Sequence, residues 1–115
     1  MITTFEKVTP ELTEKELALV PIIIEGFKRY DKSNPIKEPE IVKRFNSKSY
    51  ETKLTGARLR KIVNHIRVNG LLPLIATSKG YYVSYNKDEV LNQIKSLRER
   101  ANSINSCADG LSAWL

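Results

Sequence analysis

Cysteine and histidine are the scarcest chemistry-bearing residues of this 115-residue chain, one of each. Cys107 alone cannot close an internal disulfide, and with His65 it makes no ligand set for a structural metal. In a reducing cytosol it is given no redox role and is expected as a small buried or half-buried side chain. The segment richest in basic residues has no clustered carboxylates, and the chain has no glycine-rich phosphate loop. No catalytic set is therefore assigned: the expectation is a non-enzyme with no metal, no cofactor and no evident small-molecule ligand. Long apolar runs are missing too. Leu17 to Ile24, interrupted by Pro21, is far shorter than the ~20 residues a spanning helix needs. No early segment joins a charged start to an apolar centre and a small-residue cleavage site. The expected compartment is the cytoplasm, with no membrane partner.

What the chain does have is unevenly placed positive charge. The net charge is +6. Residues 1–40 carry six basic and eight acidic side chains, residues 41–80 carry nine and one, and residues 81–115 carry four of each. The excess is confined to the middle third, which is the footprint of a phosphate-binding surface. A merely solvated basic face has the same composition.

Taken in order, residues 1–12 lack periodicity and read as a flexible N-terminal arm. Thr13 and Glu16 have the spacing of a capping box, and Leu17, Val20, Ile24 and Phe27 form a stripe, so a helix is expected over about 14–30. Pro21 removes a backbone donor inside it and predicts a kink or break. Asn34-Pro35 ends that helix. Pro39 opens a short helix to about Phe45, burying Ile41, Val42 and Phe45. Residues 46–53, rich in Ser and Lys, read as a polar, flexible turn, longer than the three or four residues of a tight helix-turn-helix.

Thr55 caps the next helix and Gly70 closes it. Leu59, Ile62, Val63 and Ile66 form its apolar stripe. Ala57, Lys61, Asn64 and Val68 point roughly opposite, flanked by Arg60 and His65, with Arg58 in the first turn. Arg and Lys suit guanine edges and phosphates, and Asn suits adenine. The reading face is taken as Ala57, Arg60, Lys61 and Asn64.

Residues 72–77 and 81–85 read as two strands joined by Ser78-Lys79-Gly80, with the glycine a tight hairpin requires and a lysine at its tip. Tyr81, Val83 and Tyr85 share one face of the second strand and Tyr82 and Ser84 the other, and at least two of the three tyrosines are expected to pack between sheet and helices. A basic helix, two strands and a cationic loop give an α+β, mainly α fold: a winged helix-turn-helix of three helices and a β-hairpin wing over 13–85, followed by a long C-terminal helix over 86–115. The run RLRKIVNHIRVNG at 58–70 with IATSKGYYVS at 75–84 resembles small winged-helix proteins of bacteria and their phages. Over roughly 39–85 the layout is similar to the N-terminal DNA-binding domain of biotin operon repressors. The resemblance implies a recognition helix at Thr55–Asn69 in the major groove and a wing at Ser78–Gly80, and no enzymatic activity, because no ligase-like domain follows. The long 46–53 connection departs from the pattern.

Asn86 and Glu89 repeat the capping spacing. Beyond them Val90, Ile94, Leu97, Ala101, Ile104, Ala108, Leu111 and Leu115 recur at alternating steps of four and three. That is a heptad seam, the signature of a coiled-coil partner. It either zips two copies into a homodimer or folds back within one chain.

The leading expectation is a homodimeric, sequence-specific binder of double-stranded DNA, associated with the nucleoid: a transcriptional regulator, or a replication or maintenance factor of a phage or mobile element. Lys43, Arg44, Lys53, Arg58, Arg60, Lys61, Arg67 and Lys79 would neutralise phosphates, with hydroxyl contacts from Thr55, Thr77 and Ser78 and a flanking contact from His65. The alternative is a winged helix that docks an acidic protein and binds no DNA. RNA binding is disfavoured, because the tyrosines are committed to the hairpin rather than arrayed for base stacking.

Overall fold

A computed structural model describes residues 11–115 and gives a mainly helical α+β chain. Its elements are α1 (Glu14–Phe27), α2 (Glu38–Asn46), α3 (Gly56–Val68), β1 (Leu74–Thr77), β2 (Gly80–Val83) and α4 (Lys87–Ser112). They divide into two units, one ending at Val83 and one running Ser84–Leu115. Of the arm expected at 1–12, residues 1–10 lie outside the described residues, while Leu12 packs against the core.

The first unit is built by burying one stripe from each helix. Leu19, Val20, Ile23 and Phe27 of α1 meet Phe45 of α2 and Leu59, Ile62, Val63 and Ile66 of α3, closed by Leu72, Leu74 and Val83. The α3 stripe is the one its spacing predicts. The α1 stripe is shifted: Leu17 is exposed, Ile24 is only partly buried, and Glu16, Leu19 and Ile23 turn inward instead. Nearly every position from 17 to 24 is apolar, so periodicity cannot choose the face, and Glu16 follows its partners on α3. Pro21 does not break α1, which runs from Glu14 to Phe27 with Pro21 on its exposed side. The capping box forms as its residue types require, with Glu16 N–H donating to Thr13 Oγ1 at 3.2 Å and Thr13 N–H to Glu16 Oε1 at 3.0 Å.

The 46–53 connection is anchored, not free. The Asn46 amide donates to the Leu54 carbonyl at 2.9 Å and accepts from the Leu54 N–H at 2.8 Å. This two-point clamp closes the loop at a residue that is itself buried, and Tyr50 folds back to 4.7 Å from the Phe45 ring. Sequence alone makes such a stretch look loose because the clamp spans eight residues of polar chain.

The hairpin is antiparallel, pairing Leu74 with Val83, Ile75 with Tyr82, Ala76 with Tyr81 and Thr77 with Gly80. Both strands are shorter than expected. Pro73 has no N–H to give a ladder, and beyond Val83 the chain turns toward the Asn86 cap of α4. Ile36 exchanges two backbone hydrogen bonds with Tyr81, at 2.9 and 2.8 Å, and adds a one-residue third edge to the sheet. Gly80 permits this approach: its φ is +126°, and a Cβ there would stand 2.5 Å from the Ile36 carbonyl oxygen.

In the second unit the Asn86 side chain accepts from Glu89 N–H at 3.1 Å, and Ser84 Oγ bridges the Asn86 amide to the Glu89 carboxylate. α4 then runs 26 residues, none buried. Cys107, expected at least half-buried, is exposed. Leu115 lies beyond the helix end, so seven of the eight seam residues are helical. Among the described residues no helix is long and apolar enough to cross a membrane.

Candidate nucleic-acid interface

α3 is held by its buried stripe, so its opposite face is fixed in direction. Ala57, Arg60, Asn64 and Val68 are exposed there, with Val68 at 74 %. The Asn64 amide has no hydrogen-bond partner among the described residues. The Thr55 hydroxyl caps the helix by accepting from Arg58 N–H at 3.1 Å, a role that uses a lone pair and leaves its O–H able to donate.

The cations fall into two groups that sequence does not separate. Lys61 Nζ donates to Glu16 Oε1 at 2.7 Å, and Arg58 Nε to Glu16 Oε2 at 3.1 Å. Arg58 also donates to the Lys53 carbonyl at 2.8 Å. The Glu16 side chain is 4 % exposed, so these two contacts neutralise a buried charge rather than decorate a surface. Burial by itself would push the Glu16 carboxyl up. Hydrogen bonds from Lys61, the Thr13 amide and Arg58 outweigh it and hold the group at about 2. Lys61, expected on the reading face, and Arg58, expected on phosphate, are thus engaged with α1.

The other pairs are at the surface. Arg60 donates to Glu38 at 2.5 Å, and Arg44 to Glu40 at 2.8 Å and to the Tyr30 hydroxyl at 2.6 Å. Exposed pairs of this kind contribute ~0–1 kcal/mol and are readily exchanged for a stronger anion. Gly56, with no Cβ, leaves room for the Glu38 carboxylate at the first turn of α3. An acidic group therefore occupies the kind of position that attracts phosphate.

The hairpin packs on α1 through Tyr81. Its ring packs edge-on against Phe27 at 5.7 Å. Burial and the Glu38 charge raise the Tyr81 hydroxyl above its ordinary value, while Arg67 and Arg60 act in the opposite sense. The tip beyond it is shaped by Thr77, whose Oγ1 accepts from Lys79 N–H and donates to the Gly80 carbonyl, both at 3.2 Å. That leaves the Thr77 hydroxyl spent on the turn, and Ser78 and the Lys79 ammonium exposed beside it. Lys43 and Lys53 are exposed as well, and His65 is half-buried with its ring 3.4 Å from the Asn69 amide.

Sequence reading misses the carboxylates set against these cations: Glu38 and Glu40 nearer the surface, and Glu16, read only as a capping residue, in the interior. It also misses a cleft of about 290 Å³ lined by α1 and α2, with Ile22, Phe27 and Ile41 among its apolar walls and Arg29, Arg44 and Lys48 among its cations. Its walls come from separate elements, so no local motif announces it. Comparison with protein-family models, curated proteins and solved structures finds no match for this chain.

Proposed function

We propose that the unit ending at Val83 is a winged helix-turn-helix that binds double-stranded DNA, with α3 in the major groove and the 77–80 tip as a wing on the backbone or in the minor groove. The observation that carries this reading is the exposed face of α3, fixed by a buried stripe and carrying an unpartnered Asn64, beside a hairpin with an exposed lysine at its tip. In this reading Asn64 reads a base edge, Ala57 and Val68 give apolar contact to thymine methyls, and Arg60 exchanges Glu38 for DNA. Lys43, Lys53 and Lys79 supply phosphate contacts, and the chain acts as a homodimer through α4, as a transcriptional regulator or a factor of a phage or mobile element.

Selection of bound sequences from a random duplex pool tests the reading. An inverted-repeat consensus whose binding weakens steeply with salt supports it, since each neutralised phosphate adds ~0.9 to the salt slope. No retention of any duplex at low salt overturns it. That outcome favours the second reading, a winged helix that docks a protein. The ion pairs of Lys61, Arg58, Arg60 and Arg44 with internal carboxylates speak for that alternative, because they lower the field available to DNA.

A further inference from the structure

α4 is a helix of 26 residues with no buried side chain, yet its seam residues Ile94, Leu97, Ile104 and Leu111 are apolar and 38, 40, 45 and 71 % exposed. Helices in water depend on burying such a stripe for most of their stability. The alternating four-three spacing is that of a helix wound on another helix, not of one packed on a globular core.

We infer that α4 pairs with α4 of a second copy of this chain, and that the two run antiparallel about a centre between Asn102 and Ser103. The inference rests on the reading of α4 as the pairing element and adds its direction and register. Both follow from the sizes of the seam residues. Ile94, Ala101 and Ala108 occupy one kind of core position, and Leu97, Ile104 and Leu111 the other.

In a parallel pair each residue meets its own copy. Ala101 would then face Ala101 and Ala108 would face Ala108, leaving two thin layers among crowded ones. Under-filled layers cost stability in proportion to the void they leave. In the antiparallel pair the two kinds of position face each other. Ile94 meets Leu111 of the second copy, Leu97 meets Ala108, and Ala101 meets Ile104. Each alanine lies against a large side chain, so no layer is left with alanine on both sides.

Charge agrees with size. Arg98 and Arg100 flank the seam. A parallel pair brings all four arginines of the two copies to one level. The antiparallel register separates the two clusters by roughly 10 Å along the axis, at 1.5 Å per residue, about one screening length in physiological salt. It also sets the two α4 starts about 45 Å apart rather than side by side.

The test is disulfide trapping in full-length protein carrying Cys107→Ser, with oxidised glutathione as oxidant and non-reducing gels as readout. Leu97→Cys, Ala108→Cys and the double variant are compared, and sedimentation gives the mass of each. All three positions are exposed in the single chain and none belongs to the buried core of the first unit. The expected result is a cross-linked dimer from the double variant and from the two single variants mixed, and none from either single variant alone. Self-cross-linking of Leu97→Cys means a parallel pair and overturns the orientation. Dimer mass without any cross-link places the contact elsewhere and overturns the register. Monomer mass of the chain carrying only Cys107→Ser, whose seam is intact, overturns the pairing itself and leaves the duplex-selection experiment to judge DNA binding separately.

Discussion

Lys61 on α3 and Glu16 on α1 meet at 2.7 Å, and this one contact decides what the basic helix has to offer. A lysine that sequence periodicity assigns to the outer face instead compensates a carboxylate whose side chain is 4 % exposed. Removing one partner of such a pair strands the other, which is why buried pairs are costly to break even where they add little net stability. The buried member is Glu16. Lys61 keeps partial access to water and can turn outward.

Glu16 should make the fold sensitive to acid. Its carboxyl titrates at about 2 in the folded chain instead of the usual 4.5. A depressed carboxyl stabilises the fold fully above its unfolded value, and that contribution is lost as pH falls from about 4.5 toward 2. Glu16→Gln should lower stability at neutral pH by ~1–3 kcal/mol and should flatten the acid arm of the stability curve. Urea titrations of both proteins across that window measure it. Parallel acid curves for the two proteins would refute the assignment.

Asn64 and Lys79 should fail in different ways if the first unit binds duplex. Asn64→Ala should cost ~1–3 kcal/mol at one base pair of the selected site and little elsewhere. Lys79→Ala should weaken binding to all sequences alike and reduce the salt slope by about one phosphate contact. Competition binding against a single-substitution panel of the site separates the two patterns. A uniform loss from Asn64→Ala would remove it from the reading face.

Asn46→Ala should destabilise the fold by ~1–3 kcal/mol, because it leaves the N–H and carbonyl of a buried Leu54 without partners. Faster amide exchange confined to the loop before α3 would accompany the loss. If stability stays within ~0.5 kcal/mol, as surface substitutions usually do, water replaces the clamp.

The helices are legible in the sequence where a single periodicity dominates. Leu59, Ile62, Val63 and Ile66 go inward because charged and polar residues leave α3 no other face to bury, and Thr13, Thr55 and Asn86 cap because their side chains accept from amides three residues on. α1 is not legible in this way. With apolar residues almost continuous around it, its rotation is fixed by where Glu16 finds cations, a contact made across more than forty residues of chain. The same holds for Arg60 and Glu38. Charge counted along the sequence shows a basic segment, while charge counted in space shows three carboxylates folded against it. Gly80 is legible as a turn residue, but its larger constraint, the Ile36 backbone beside it, comes from a segment more than forty residues upstream.

Alanine at two of the glycines should act with opposite signs. Gly80 sits at φ +126° with the Ile36 carbonyl where a Cβ would go. Gly80→Ala must therefore strain the backbone and push Ile36 away, breaking its two hydrogen bonds to Tyr81. Left-handed strain costs ~1–3 kcal/mol for a non-glycine residue, and the lost edge pairing adds to it. Gly110 lies in α4 with nothing but its own helix backbone and chain neighbours within 4 Å of where a Cβ would stand, and no positive φ. Gly110→Ala there only removes helix-weakening freedom and should raise stability of α4 by ~0.5–1 kcal/mol. Circular dichroism melts of the two variants read both effects. A stable Gly80→Ala would mean the Ile36 edge is not formed in solution. A Gly110→Ala chain with weakened self-association would mean that the second copy approaches α4 closely at that position.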